Sequence, residues 1–372
     1  MNREINDSLP YKQSILNCPA YKGGKAIETI REQYGLERII KLASNENPLP
    51  TSPMVVQALQ EAAAGLNRYP VNSDEPLRNA LTEYIGRGVS PDMFVSGNGG
   101  CDVLLLIARG FLAEGDEAII CPPTFPVYEL TIKQMGATAV YVPRNDDFSY
   151  NMENVLTAVT DKTRIIYLCS PNNPTGNMLT QAQLDELLAA LPDNIVVVAD
   201  EVYWQFNTDR RMADSLAAVL AEKNLIILHS FSKVFGLAGL RLGYGIARPE
   251  IIDYLSRARL PFHINQMTTV AALAVLQDDA HIHQTIELTV TERERLYERL
   301  QVMAGVTVWP SQANFLLMQT NMDSKQVAQQ LMEQGMIIRE LSGFYMPGYL
   351  RVSVGMPEEN DRFVELLASV IA

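Results

Sequence analysis

The stretch IIYLCSPNNPTGNMLTQAQLDELLAALPDNIVVVADEVYW, residues 165–204, decides the fold. It holds two short runs, IIYLC (165–169) and IVVVA (195–199), that are β-rich and apolar on both sides of the pleat. Such strands belong in a sheet covered on both faces, as largely parallel sheets are. Between them, LTQAQLDELLAALP (179–192) spaces its apolar residues as a helix does, with Thr180 placed to cap it. AIIC (118–121) and LIILH (225–229) repeat the strand pattern on either side. An α/β fold with a mostly parallel sheet flanked by helices is therefore expected.

The chain has 372 residues, more than one compact core usually holds. A large α/β domain is expected over 45–265. Beyond it, a long helical region from Gln266 to Met303, rich in charge around TERERLYERL, leads into shorter strands near TVWP, NFLLMQT and YLRVSVG. These define a smaller α+β domain over 266–372, which the N-terminal segment 1–44 is expected to join. The formal net charge of -13 repels phosphate backbones and anionic membranes, so neither is an expected partner. A local cluster of arginines could still hold an anionic small molecule. The N-terminus MNREINDSLPYKQS is polar, and no run approaches a membrane span, so a cytoplasmic protein is expected. Cys18, Cys101, Cys121 and Cys169 lack metal-ligand or CxxC spacing and are expected as free thiols in a reducing compartment. His281 and His283 stand two apart in DDAHIHQT and are expected on a solvated surface, and no metal site is expected.

In open α/β sheets, ligands bind beyond the carboxyl ends of the strands. The polar residues that follow the apolar runs are therefore the ones to read. After IIYLC comes SPNNPTG with Asn173. After IVVVA comes DEVYW with Asp200 and Tyr203. After LIILH comes SFSKVFGLAGLRLGY, with Ser230, Ser232, Lys233 and Arg241. Taken alone, Asp200 could be a helix cap and Lys233 a surface lysine. Yet Phe231, Val234 and Phe235 make an apolar setting, in which a lysine loses charge and becomes an amine nucleophile toward a carbonyl. The serines offer hydroxyls and Arg241, folded back by the intervening glycines, a fork for a phosphate. A lysine, phosphate donors and a strand-end carboxylate form the set that pyridoxal 5'-phosphate requires. A second glycine-rich turn, in VSGNGGCDVLLLIARGFL (95–112), leads into a helix whose first amides, at Gly100 and Cys101, would meet a phosphate. It carries neither a Walker lysine nor the GxGxxG pattern of dinucleotide sites.

SNENP (44–48), RYP (68–70), GNGGCD (97–102), PPTFPVY (122–128), SPNNPTG (170–176), ADEVY (199–203), SFSKVFGLAGLRLGY (230–244), RLPFHIN (259–265), IIRE (337–340) and YLRVSVG (349–355) occur in this order. Together they resemble the fold-type I, class II aminotransferases, and most of all the histidinol-phosphate aminotransferase subgroup, over nearly the whole chain. The resemblance implies that Lys233 binds pyridoxal phosphate covalently and carries the substrate proton. It implies that Asp200 pairs with the pyridine nitrogen, and that Asn173 and Tyr203 hold the ring's phenolic oxygen. Ser230, Ser232, Arg241 and the Gly100 and Cys101 amides would bind the phosphate. Tyr69 would reach it from a neighbouring subunit, implying a homodimer. Arg351 would grip the substrate carboxylate and Arg339 a distal anion, with Tyr21 and Asn45 on the substrate side.

Three departures from the family pattern matter. Phe125 stands where a ring-stacking tyrosine is common, Cys101 where GNGSDE has aspartate, and His263 where PFNVN has asparagine. The reaction implied is transamination from histidinol phosphate to 2-oxoglutarate, giving imidazole acetol phosphate and L-glutamate. Alternatives are an aromatic amino acid aminotransferase and, on the same fold, a phosphate-recognising pyridoxal-dependent decarboxylase. A pyridoxal-binding regulator of the kind that carries a DNA-binding module would need a preceding domain. Here the resemblance begins within about the first 20 residues, and the acidic charge opposes DNA.

Overall fold

The computed structural model describes residues 9–18 and 27–372. Its strands are β1 (Ile40–Lys41), β2 (Phe94–Gly97), β3 (Glu117–Ile120), β4 (Thr138–Tyr141), β5 (Thr163–Cys169), β6 (Val196–Asp200), β7 (Leu225–Ser230), β8 (Gly243–Ile246), β9 (Val306–Trp309), β10 (Phe315–Thr320), β11 (Met336–Ile337), β12 (Arg339–Glu340) and β13 (Leu350–Ser353). Among the described residues, seven strands form one sheet in the order β2-β8-β7-β6-β5-β3-β4. Neighbours from β7 through β4 run parallel, whereas β8 is antiparallel to both β7 and β2.

The four apolar runs lie in β3, β5, β6 and β7, with at most one residue beyond a strand end, and their residues are buried on both faces. Along β7, Leu225 and Ile227 enter one hydrophobic cluster while Ile226 and Leu228 enter the one on the other face. Each such fully buried side chain contributes about 1.5–3 kcal/mol through removal from water. Between β5 and β6, the helix Gln181–Ala190 begins at Thr180, whose side chain accepts from the Gln183 amide in a reciprocal capping box.

The C-terminal strands form a four-stranded antiparallel sheet in the order β12-β13-β10-β9. β1 pairs in parallel with β11, bringing the chain near residue 40 alongside the C-terminal strands. The single helical region expected from Gln266 to Met303 is two helices, Gln266–Val275 and Asp279–Gln301. They part where the Asp278 carboxylate accepts from the His281 amide at 3.1 Å and caps the second helix. That cap also corrects the reading of His281 as solvated. The first turn of the second helix packs inward beside Gly236, leaving His281 only 8% exposed, while His283 faces solvent. Among the described residues no helix is long and apolar enough to cross a membrane.

Candidate active site

The carboxyl ends of β5, β6 and β7 open into a cavity of about 410 Å³. Asn45, Gly100, Cys101, Phe125, Asn173, Asp200, Tyr203, Ser230, Ser232, Lys233, Arg241, Arg339 and Arg351 all line it. Strand alternation explains the gathering on β7. Leu228 and Ser230 face the cavity, and His229 between them faces the opposite side of the sheet, beside Trp204 and Tyr244.

Lys233 follows β7 in a buried apolar turn, with Phe231, Val234 and Phe235 all at 0% exposure. Its Nζ donates to the Asn45 carbonyl at 3.0 Å. Desolvation, reinforced by the nearby Arg351 charge, lowers its pKa from 10.5 to about 8. Asp200 ends β6 at 3% exposure, and burial raises its pKa to about 6. The raise is opposed chiefly by the Tyr128 hydroxyl, which donates to Asp200 Oδ2 at 2.6 Å. A cation beside Asp200 would hold it ionised. Tyr128 is a site residue that the sequence reading quoted in PPTFPVY but gave no role. Its signal is faint, a phenol three residues beyond Phe125, on which its ring packs edge-on at 5.8 Å.

Tyr203 accepts a hydrogen bond from the Asn45 amide at 3.0 Å, and burial pushes its hydroxyl pKa upward. Asn45 adopts a φ of 53° and exchanges hydrogen bonds with Ser353 at 2.8 and 2.9 Å. Its side chain is thus a brace between Tyr203 and the small sheet. Asn173 accepts from Arg351 through Oδ1, which leaves its Nδ2 as the donor for the cavity.

In the same lining, the turn after β2 leads into the helix Gly100–Phe111, whose first residues, Gly100 and Cys101, border the cavity, and the free amides of a helix N-terminus favour an anion. Gly99 has a φ of 87°, and a Cβ there would stand 2.4 Å from Arg241 Nη2, so only glycine lets this turn meet the guanidinium. Arg241 itself adopts a φ of 58° and donates to the Ala238 carbonyl at 3.0 Å, folding back over the cavity. Ser230 and Ser232 add hydroxyls to the amides and guanidinium that line this cavity.

Arg339 and Arg351 face each other directly across β12 and β13, so both side chains leave the same face of the sheet. Arg351 is 3% exposed, donates to the Ala43 carbonyl at 2.7 Å, and lies 5.3 and 5.4 Å from the Phe315 and Phe344 rings. The Arg339 Nε is buried without a hydrogen-bond partner among the described residues. With Lys233 and Arg241, these arginines outnumber the carboxylates of Asp200 and Glu46 in the lining. In a chain of net charge -13, this cavity is cationic.

Three expected residues stand apart. Tyr69 is 81% exposed and stacks on Phe262 at 4.7 Å, away from its own cavity. His263, which stands where the family pattern has asparagine, turns its Nε2 to the Asp102 carboxylate at 2.5 Å. Tyr21 lies outside the described residues.

The family described as aminotransferase class I and II matches residues 37–367. A histidinol-phosphate aminotransferase of Moorella thermoacetica is 39% identical over 362 residues, covering 97% of this chain and 93% of that protein. Histidinol-phosphate aminotransferase 2 of Haemophilus influenzae is 38% identical over 359 residues, covering 96% and 97%. The crystal structure of the Sinorhizobium meliloti histidinol-phosphate aminotransferase with pyridoxal-5'-phosphate superposes with a TM-score of 0.87 at 25% identity, covering 97% of each chain. The chain belongs to the class I and II aminotransferases. It is an enzyme of fold type I whose cofactor is pyridoxal 5'-phosphate. The cavity's chemistry fits that group, with a lysine amine of lowered pKa, a buried carboxylate and a clustered set of phosphate donors.

Proposed function

We propose that this chain transfers an amino group from L-histidinol phosphate to 2-oxoglutarate, giving imidazole acetol phosphate and L-glutamate. The observation that carries the reading is the arginine pair, Arg339 opposite Arg351, on the cavity face of the small sheet. Histidinol phosphate has no carboxylate, so its phosphate needs a strongly cationic wall. Glutamate presents one carboxylate to each arginine. The names of the relatives at 39% and 38% identity support the same substrate.

Pyridoxal phosphate, when bound, supplies an electron sink for the pair released at the substrate Cα. Lys233 is its covalent anchor, and its Nζ, deprotonated at modest pH, takes and returns the Cα proton. Asp200 keeps a proton on the pyridine nitrogen, and the Tyr128 hydroxyl holds that carboxylate in place. Asn173 and Tyr203 would hold the ring by its phenolic oxygen, and Phe125 would offer it a stacking surface. Ser230, Ser232, Arg241 and the Gly100 and Cys101 amides bind the phosphate.

The active unit in this reading is a homodimer. Leu66, Tyr69, Val71, Leu260 and Phe262 are between 44% and 81% exposed, and Tyr69 stacks on Phe262, apolar surface that a second copy would cover. Tyr69 would then reach the partner's phosphate site. A cytoplasmic, biosynthetic setting suits the four free cysteines.

An aromatic donor is the second reading, favoured by Phe125 and Phe344 in the lining. Steady-state kcat/KM for histidinol phosphate, phenylalanine and tyrosine with 2-oxoglutarate separates the two. Histidinol phosphate should lead by about ten- to a hundredfold, the value of a well-placed anion contact. A lead for phenylalanine would leave only the aminotransferase class standing.

A further inference from the structure

The helix that begins at Gly100 has an acidic residue, Asp102, in its first turn, close to the pole where a phosphate is to bind. Gly100, Cys101 and Leu104 line the cavity and Asp102 does not. A carboxylate free to swing in that turn would repel the phosphate. Here it is held. Its Oδ2 accepts from the Asn98 amide at 2.8 Å and pairs with His263 Nε2 at 2.5 Å. The Asn98 side chain in turn donates to the His263 carbonyl at 2.9 Å. The loop 97–101 is thereby closed on the segment around His263 by a side-chain bond in each direction. The turn has little slack, because a Cβ on Gly97 would stand 2.9 Å from Asp102 Oδ2 and 2.8 Å from Val103 Cγ2.

We propose that Asp102 and His263 form a matched clasp, a pair of positioning residues that holds the phosphate-binding turn in its anion-ready shape and keeps the carboxylate off the phosphate. The proposal rests on the cavity's reading as the pyridoxal phosphate site. It explains a departure noted in the sequence. Where the family patterns GNGSDE and PFNVN have glutamate and asparagine, this chain has a shorter acid and a longer donor. A gain in reach on one side offsets a loss on the other. The same segment carries Phe262, which donates its amide to Asn72 at 2.6 Å and stacks on Tyr69. The clasp therefore ties the phosphate turn to the element proposed to enter the partner's site.

The test uses D102E, H263N, the double variant D102E/H263N, and H263Q, which keeps a long donor. Each protein is stripped of cofactor and titrated with pyridoxal phosphate and, separately, with pyridoxal lacking the phosphate. Each of D102E and H263N should weaken pyridoxal phosphate binding about tenfold, as loss of a charge-assisted hydrogen bond does. The double variant and H263Q should return to within about threefold of the parent on the same scale. Pyridoxal binding should be alike in all of them, and melting temperatures of the stripped proteins should stay together. Multiplying losses in the double variant, or singles that bind like the parent, would overturn the clasp. Equal losses for pyridoxal would overturn its action at the phosphate. A parent protein that binds neither probe would instead sink the underlying cofactor reading.

Discussion

A lysine in water is almost fully protonated at pH 7, and Lys233 is not in water. Desolvation and the Arg351 charge bring its pKa from 10.5 to about 8. The sign is that of a group whose charge works against the fold. Its cost is full below about pH 8 and fades as the pH rises toward the ordinary lysine value of 10.5. The same shift leaves about a tenth of the side chains as free amine at pH 7, roughly three hundredfold more than an ordinary lysine. The rate at which cofactor-free protein captures pyridoxal phosphate should therefore climb with a midpoint near pH 8, and a midpoint near 10.5 would show a solvated lysine. At this scale much of the cavity lining was legible, because residues that end apolar strands must meet at one sheet edge. Tyr128 was not, since the residue it supports, Asp200, lies 72 positions away and no local pattern links a phenol on one helix to a carboxylate on a strand.

The register between β12 and β13 puts Arg339 against Arg351. Like charges directly opposite in a sheet disfavour it, so the pair makes physical sense as an anion grip. Charge-assisted contacts of this kind contribute about 1.5–3 kcal/mol, roughly ten- to a hundredfold in specificity. Arg339→Ala should lower kcat/KM for both histidinol phosphate and glutamate by that factor, while phenylalanine, with no distal anion, changes less than about threefold. An equal fall for all donors would mean that Arg339 supports the sheet and not the substrate. The apolar strands of the large sheet were readable because burial on both faces leaves continuous runs such as IVVVA. β11 and β12 have two residues each, too few for any alternation to show, so the pairing of the arginines could not be read from the chain. The break between Gln266–Val275 and Asp279–Gln301 was missed for a similar reason. Its only mark is Asp278, a capping residue inside an otherwise helical pattern.

The whole molecule presents two faces of one question, since a single chain gathers the cavity residues yet leaves Tyr69 at 81% exposure, stacked on the exposed Phe262. If a second copy completes each site, Tyr69→Phe and Lys233→Ala variants, each impaired alone, should recover activity on mixing. Subunit exchange would yield hybrid dimers with one intact site, about a quarter of the parent activity at equal ratio. Activity that stays at the sum of the separate variants would argue for self-contained sites. Surfaces of this kind were not legible in the sequence, where exposed Tyr69 and buried Tyr128 look alike. What holds the account together is the assignment of Lys233 as the residue that carries the cofactor at the centre of the cavity. Borohydride reduction of the holoenzyme, followed by peptide mapping, tests it most directly. The pyridoxyl group should be found on the peptide containing Lys233 and nowhere else. A label on another lysine, such as Lys41 beside Glu46, would contradict the assignment and the reading of the cavity built on it.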